Sequence, residues 1–104
     1  MAAPWNPPKR AEDFEGSVAL ADMNSAGSFK ANPTLASGDV KISKDDGAFA
    51  NLATLPSVAP ASGVAVKFAL TGTEMTADKV VITFIDQTSP KEWGDLVITI
   101  LTTA

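Results

Sequence analysis

The feature that most limits how this chain can fold is the alternation of apolar and polar residues in short runs separated by turn signals. Val64, Val66, Phe68 and Leu70 form a strict every-second-residue apolar row, with Lys67 on the opposite side. A spacing of two belongs to a half-buried strand, because successive strand side chains point to opposite faces. Residues 39–44, Asp-Val-Lys-Ile-Ser-Lys, repeat the pattern, so Val40 and Ile42 are expected to face a core while Lys41 and Ser43 face water. Residues 15–20 make a first strand with Val18 and Leu20 on one face. Residues 80–85 are almost continuously apolar, which reads as a central strand or one covered on both sides.

The last strand, residues 93–101, sets Leu96, Ile98 and Ile100 against Val97, Thr99 and Leu101. Val97 and Leu101 stand where a half-buried strand carries polar side chains. Either both sides of this strand are buried within the domain, or another subunit covers one of them.

The connections carry their own signals. Asp45-Asp46-Gly47 is expected to supply the positive φ of a tight hairpin, with residues 48–52 returning antiparallel. Residues 22–28, with Asn24 and Gly27, form a polar loop, and Asn32-Pro33 marks another turn. Residues 56–63, with Pro56 and Pro60, read as a sheet-crossing connection or an irregular edge. Residues 71–78 interrupt the strands, and a single helical turn there would carry Met75 inward as a plug. Residues 87–91 form the last hairpin loop. No helix longer than a turn or two fits. About seven strands with Greek-key-like connections predict an all-β protein, an immunoglobulin-like antiparallel β-sandwich over residues 15–104.

Ahead of it, residues 1–14 read as an extended proline-rich arm. Pro4, Pro7 and Pro8 fix φ and remove donors, so this segment is expected outside any ladder until Phe14 or later. Trp5 is the unusual residue: it folds back to cap the domain's own core, or it reaches a neighbouring molecule.

A chain of 104 residues forms one domain. A compact monomer of this length would expose roughly 5,500 Å², about a third of its unfolded surface, which leaves a core that needs no staples. Cysteine is absent, so there are no disulfides, thiolate metal sites or cysteine nucleophiles. Histidine is absent too, which excludes Ser-His-Asp and Cys-His triads and histidine-ligated metals. Twelve acidic residues against eight basic ones give a net charge of -4, opposed to sequence-independent nucleic-acid binding. No apolar run approaches the length of a spanning helix, and the first residues lack the order of a signal peptide; a soluble chain is expected, with no membrane partner.

Specific motifs fare no better. No two of the seven glycines are two apart, so neither a dinucleotide fingerprint nor a phosphate loop can be written. Asp45-Asp46-Gly47 lacks the alternating oxygens and distal glutamate of a calcium loop. Asp39, Asp78, Asp86, Glu92 and Asp95 lie near strand ends, where surface solvation is expected ahead of an ion site or a glycosidase pair. Trp93 is expected in core or hairpin-edge packing, and two tryptophans without tyrosine are too few for a sugar platform. No enzyme activity, cofactor or metal is expected.

Residues 32–43 (NPTLASGDVKIS), 46–52 (DGAFANL), 55–63 (LPSVAPASG), 74–78 (EMTAD) and 92–98 (EWGDLVI) resemble a group of small virion-associated proteins of tailed bacteriophages. The resemblance spans roughly residues 28–101 and leaves the arm outside it. It is also similar to immunoglobulin-like modules attached to capsids, tails and baseplates. The resemblance implies a capsid decoration or cement protein on the shell of the major capsid protein, within a virion assembled in the host cytoplasm. It further implies a homo-oligomer, with a trimer favoured. A tail or baseplate accessory module and a host-glycan adhesive domain are the alternatives. In the first case Trp5, Pro7, Pro8, Arg10 and Phe14 of the arm, with Val97 and Leu101 of the last strand, are the expected partner-binding residues.

Overall fold

The computed structural model describes residues 7–103. Seven strands follow in order: β1 Phe14–Ala19, β2 Val40–Lys44, β3 Ala50–Asn51, β4 Ser57–Val58, β5 Ala65–Leu70, β6 Lys79–Phe84 and β7 Leu96–Leu101. They form two antiparallel sheets, β1-β5-β4 and β3-β2-β6-β7, and the described residues contain no helix. The chain exposes 5830 Å², close to the value expected from its length.

Register follows from the alternation. Directly paired residues share a face, so Phe14↔Leu70, Gly16↔Phe68 and Val18↔Val66 turn inward, while Glu15↔Ala69 and Ser17↔Lys67 turn outward. In the other sheet Ile42↔Ile82 and Val40↔Phe84 face the core from β2 and β6. Val80↔Ile100, Ile82↔Ile98 and Phe84↔Leu96 continue that layer into β7. The sheets meet where Phe68 and Phe84 stand edge to face, ring centroids 6.4 Å apart. Phe14 flanks Phe68 at 6.3 Å. The apolar run of β6 therefore belongs to a central strand, its inner side fully buried and its outer side half-buried.

Between β5 and β6, Met75 is fully buried, as the plug expected from the sequence. The turn carrying it is closed by a reciprocal pair. Glu74 N–H donates to Thr71 Oγ1 at 3.2 Å, and Thr71 N–H donates to Glu74 Oε1 at 2.9 Å. This is a Thr-x-x-Glu capping box, which satisfies donors at the start of a helical turn. Glu74 Oε2 also accepts from Ala53 N–H, tying the turn to the segment after β3.

The structure corrects some sequence expectations and bears out others. Ser43 does not face water: it is buried, because the hairpin loop folds back over it and its hydroxyl donates to the Gly47 carbonyl at 2.7 Å. The positive φ values of that hairpin fall on Asp45 (51°) and Asp46 (63°), with Gly47 N–H donating to the Lys44 carbonyl. Two successive residues of that kind make a type I′ turn. Only Ala50–Asn51 of the returning segment pairs with β2. Val64 precedes β5 and is exposed, and the closing strand starts at Leu96, with Trp93 in an isolated bridge to Asp22. Residues 56–63 form an irregular edge whose only pairing is β4 with β5.

Candidate interaction surface

The arm is bound to its own domain from Pro8 onward, ahead of the first strand. Lys9 bridges Thr103 in parallel: Thr103 N–H donates to the Pro8 carbonyl, and Arg10 N–H to the Thr103 carbonyl, each at 2.9 Å. Ala11 N–H then donates to the Met75 carbonyl, and Gly72 N–H to Asp13 Oδ1. The Arg10 guanidinium pairs with the Asp78 carboxylate. Three of the expected partner-binding residues are therefore used internally: Pro8 and Arg10 hold β7 and the β5–β6 turn, and Phe14 packs on the core. The first strand begins at Phe14, as expected, and the one bridge at Lys9 uses the Pro8 carbonyl and so needs no proline N–H. Pro7 is exposed, and Trp5 lies outside the described residues.

Val97 and Leu101 are different. Both point outward from β7 and are 59% and 68% exposed, so burial within the domain does not account for them. Their neighbours on β6 are Thr83 and Lys79. The sequence marked these two residues correctly as apolar on a polar face. It missed Phe29 and Phe49, which are exposed on loops, because isolated aromatics outside an alternating run carry no directional signal.

The five strand-end carboxylates do not converge, and two of them are not solvated. Asp39 is buried and accepts from Ala36 N–H and Gln87 N–H, joining the loop before β2 to the loop after β6. Asp86 is also buried and accepts from Thr88 N–H, Thr88 Oγ1 and Glu92 N–H. Burial raises its pKa, but the hydrogen bonds from the Thr88 side chain and from the backbone N–H groups of Thr88, Glu92 and Trp93 outweigh it, leaving the carboxyl below its ordinary value. Glu92 accepts from Thr34 N–H, Asp95 pairs with Lys91, and Asp78 pairs with Arg10. Among the described residues no group of three or more acidic side chains is placed to hold a metal ion. Asp45 of the hairpin caps the start of β6 by accepting from Asp78 and Lys79 N–H.

Trp93 is fully buried, and its Nε1–H donates to the Thr34 carbonyl at 3.0 Å. Asp39, Asp86, Glu92 and the indole thus fasten loops at one end of the sandwich, while Asp78 lies at the other end of β6. Asp39 and Asp86 accept from neighbouring loop amides, and the indole donates to a loop carbonyl. Compared with family models, with curated proteins and with solved structures, the chain matches none of them.

Proposed function

We propose that this protein is a non-enzymatic structural component of a tailed-phage virion, a decoration or cement protein bound to the outer surface of the major capsid protein shell. The observation that carries the reading is the pair Val97 and Leu101, exposed apolar side chains on the outer face of an otherwise well-packed β-sandwich. A domain that uses its polar side chains to tie its own loops works through its surface. Exposed apolar side chains on a sheet face favour contact with a neighbour over contact with water. The strand order adds support: β1-β5-β4 beside β3-β2-β6-β7 corresponds to strands B, E and D against C′, C, F and G of an immunoglobulin-like sandwich. The resemblance to virion-associated proteins supplies the context.

The test is location and copy number on purified particles. Antibody labelling should decorate the shell, and quantitative mass spectrometry should find the chain at the abundance of shell subunits. Labelling confined to the tail, at a few copies per particle, would favour the accessory-module reading. Binding to a glycan array with loss of host adsorption on deletion would favour the adhesive one.

A further inference from the structure

We infer that Met23 is a modification site, the sulfur that an oxidant of the peroxide class converts to the sulfoxide in the folded chain, turning an apolar shelf at the loop end of the sandwich polar. The chain has no cysteine, so its oxidisable sulfurs are those of its three methionines. Met1 lies outside the described residues, Met75 is fully buried, and Met23 is 55% exposed. A buried sulfur reacts only when the core opens, which a domain of ordinary stability does in fewer than about one chain in a thousand. Among the described residues, oxidation of the folded state therefore falls on Met23.

The surroundings of Met23 give that change a consequence. Beyond the end of β1, residues 21–23 run between two other segments. On one side Asp22 N–H donates to the Ser28 carbonyl and Lys30 N–H to the Leu20 carbonyl, which sets Ala21 opposite Phe29. On the other, Met23 N–H donates to the Glu92 carbonyl and Gly94 N–H to the Ala21 carbonyl, which sets Asp22 opposite Trp93. Trp93 turns into the core, so Gly94 beside it turns outward. A Cβ on Gly94 would lie 3.6 Å from Met23 Sδ and 3.7 Å from Ala21 Cβ, so both side chains share that outward face. Phe29, paired with Ala21, stands on it too and is 61% exposed. The missing side chain at residue 94 leaves the sulfur uncovered on that side.

The step needs only the oxidant. One peroxide oxygen passes to Met23 Sδ: an S–O bond forms as the O–O bond breaks, the sulfur gives up two electrons, and the other oxygen leaves as water with both peroxide protons. The product is a polar, chiral sulfoxide. A face formed by Ala21, Met23 and Phe29 then carries a strong hydrogen-bond acceptor, and the shelf loses affinity for apolar surfaces. The fold stays intact, because the Met23 side chain takes no part in the core and its N–H on the Glu92 carbonyl is untouched. This chemistry holds whether or not the chain belongs to a virion.

The experiment treats the folded full chain with dilute hydrogen peroxide at neutral pH and follows each methionine by peptide mass spectrometry, alongside Met23→Leu and Met23→Gln. Met23 should gain one oxygen at least about a hundredfold faster than Met75, and the two should react at similar rates once urea has unfolded the chain. Oxidised wild type should elute earlier from a hydrophobic-interaction column, with an unchanged circular dichroism spectrum. Met23→Gln should elute early without oxidant, and Met23→Leu should show much less of the oxidant-induced shift. A methionine sulfoxide reductase should return the oxidised wild type to its original retention. Met75 oxidising in step with Met23 in the folded chain, a Met23 that stays intact, or equal retention shifts in wild type and Met23→Leu would overturn the proposal. So would loss of the folded spectrum when Met23 is oxidised, because the sulfur would then belong to the core and not to the shelf.

Discussion

Gly16→Ala should destabilise the fold although it replaces glycine with a better strand former. Gly16 pairs with Phe68 in the middle of β1 and is not at positive φ, so the backbone itself accepts alanine. The obstacle is the ring. A Cβ at Gly16 would lie 2.4 Å from Phe68 Cζ, 2.9 Å from Cε1 and 3.1 Å from Cε2. Carbon contacts are comfortable at about 3.5–4.0 Å, so the ring must move by about an ångström. It has little room to do so, being buried with Phe14 on one side and Phe84 on the other. Overpacking of this kind costs about 1–3 kcal/mol. Alanine recovers about 0.4–1 kcal/mol by restricting the unfolded chain, leaving a net loss of about 1–2 kcal/mol.

For a domain of this size each kcal/mol lowers Tm by about 4–8 °C, so a fall of about 4–16 °C is expected in a circular dichroism melt. A double-mutant cycle isolates the cause. Phe68→Leu alone costs about 1–2 kcal/mol through lost packing. Combined with Gly16→Ala it should cost less than the sum by about 1 kcal/mol, because the shorter side chain admits the new methyl group. A Gly16→Ala protein that melts at or above the wild type, or costs that add to within about 0.3–0.5 kcal/mol, would refute the packing argument.

Three further outcomes follow from the loop end and the arm. Asp86→Asn should cost about 1–3 kcal/mol at neutral pH, since donors from Thr88 and Glu92 lose their ionised acceptor. A depressed folded-state pKa contributes stability that is present above the unfolded value, near 3.9, and lost as pH falls through the folded one. Urea titrations from neutral to acid pH should therefore show the wild type losing stability more steeply below about pH 4 than the variant. Trp93→Phe should cost about 2–3 kcal/mol in urea denaturation, from a void in the core and an unpaired Thr34 carbonyl. Arg10→Ala should cost less than about 1 kcal/mol, with the difference shrinking in salt, because its partner Asp78 is well exposed and the arm is held by main-chain bonds to Thr103.

Periodicity located β2, β5, β6 and β7 and most of their inward residues, because a strand's alternation is a local property and burial selects it directly, and the Asp45-Asp46-Gly47 signal located the hairpin after β2. The Met75 turn was also legible, and Thr71 and Glu74 spell a capping signal that reinforces it. Tertiary structure decided the rest. Ser43 reads as a surface residue until the Gly47 carbonyl returns over it. Asp39 reads as a solvated carboxylate until Gln87, far along the chain, delivers its N–H, and Asp86 does so until the loop that follows it closes round its oxygens. Gly16 reads as a weak point in a strand until pairing sets the Phe68 ring against it. The arm reads as free until Thr103, 95 positions from Pro8, binds it. Each of these depends on a hydrogen bond or contact between segments that only folding brings together, and a one-dimensional pattern carries no record of which segments those are. The exposed side of β7 belongs to both levels: the sequence placed Val97 and Leu101 on a face that should be polar, and the sheet order put their strand at the end of its sheet.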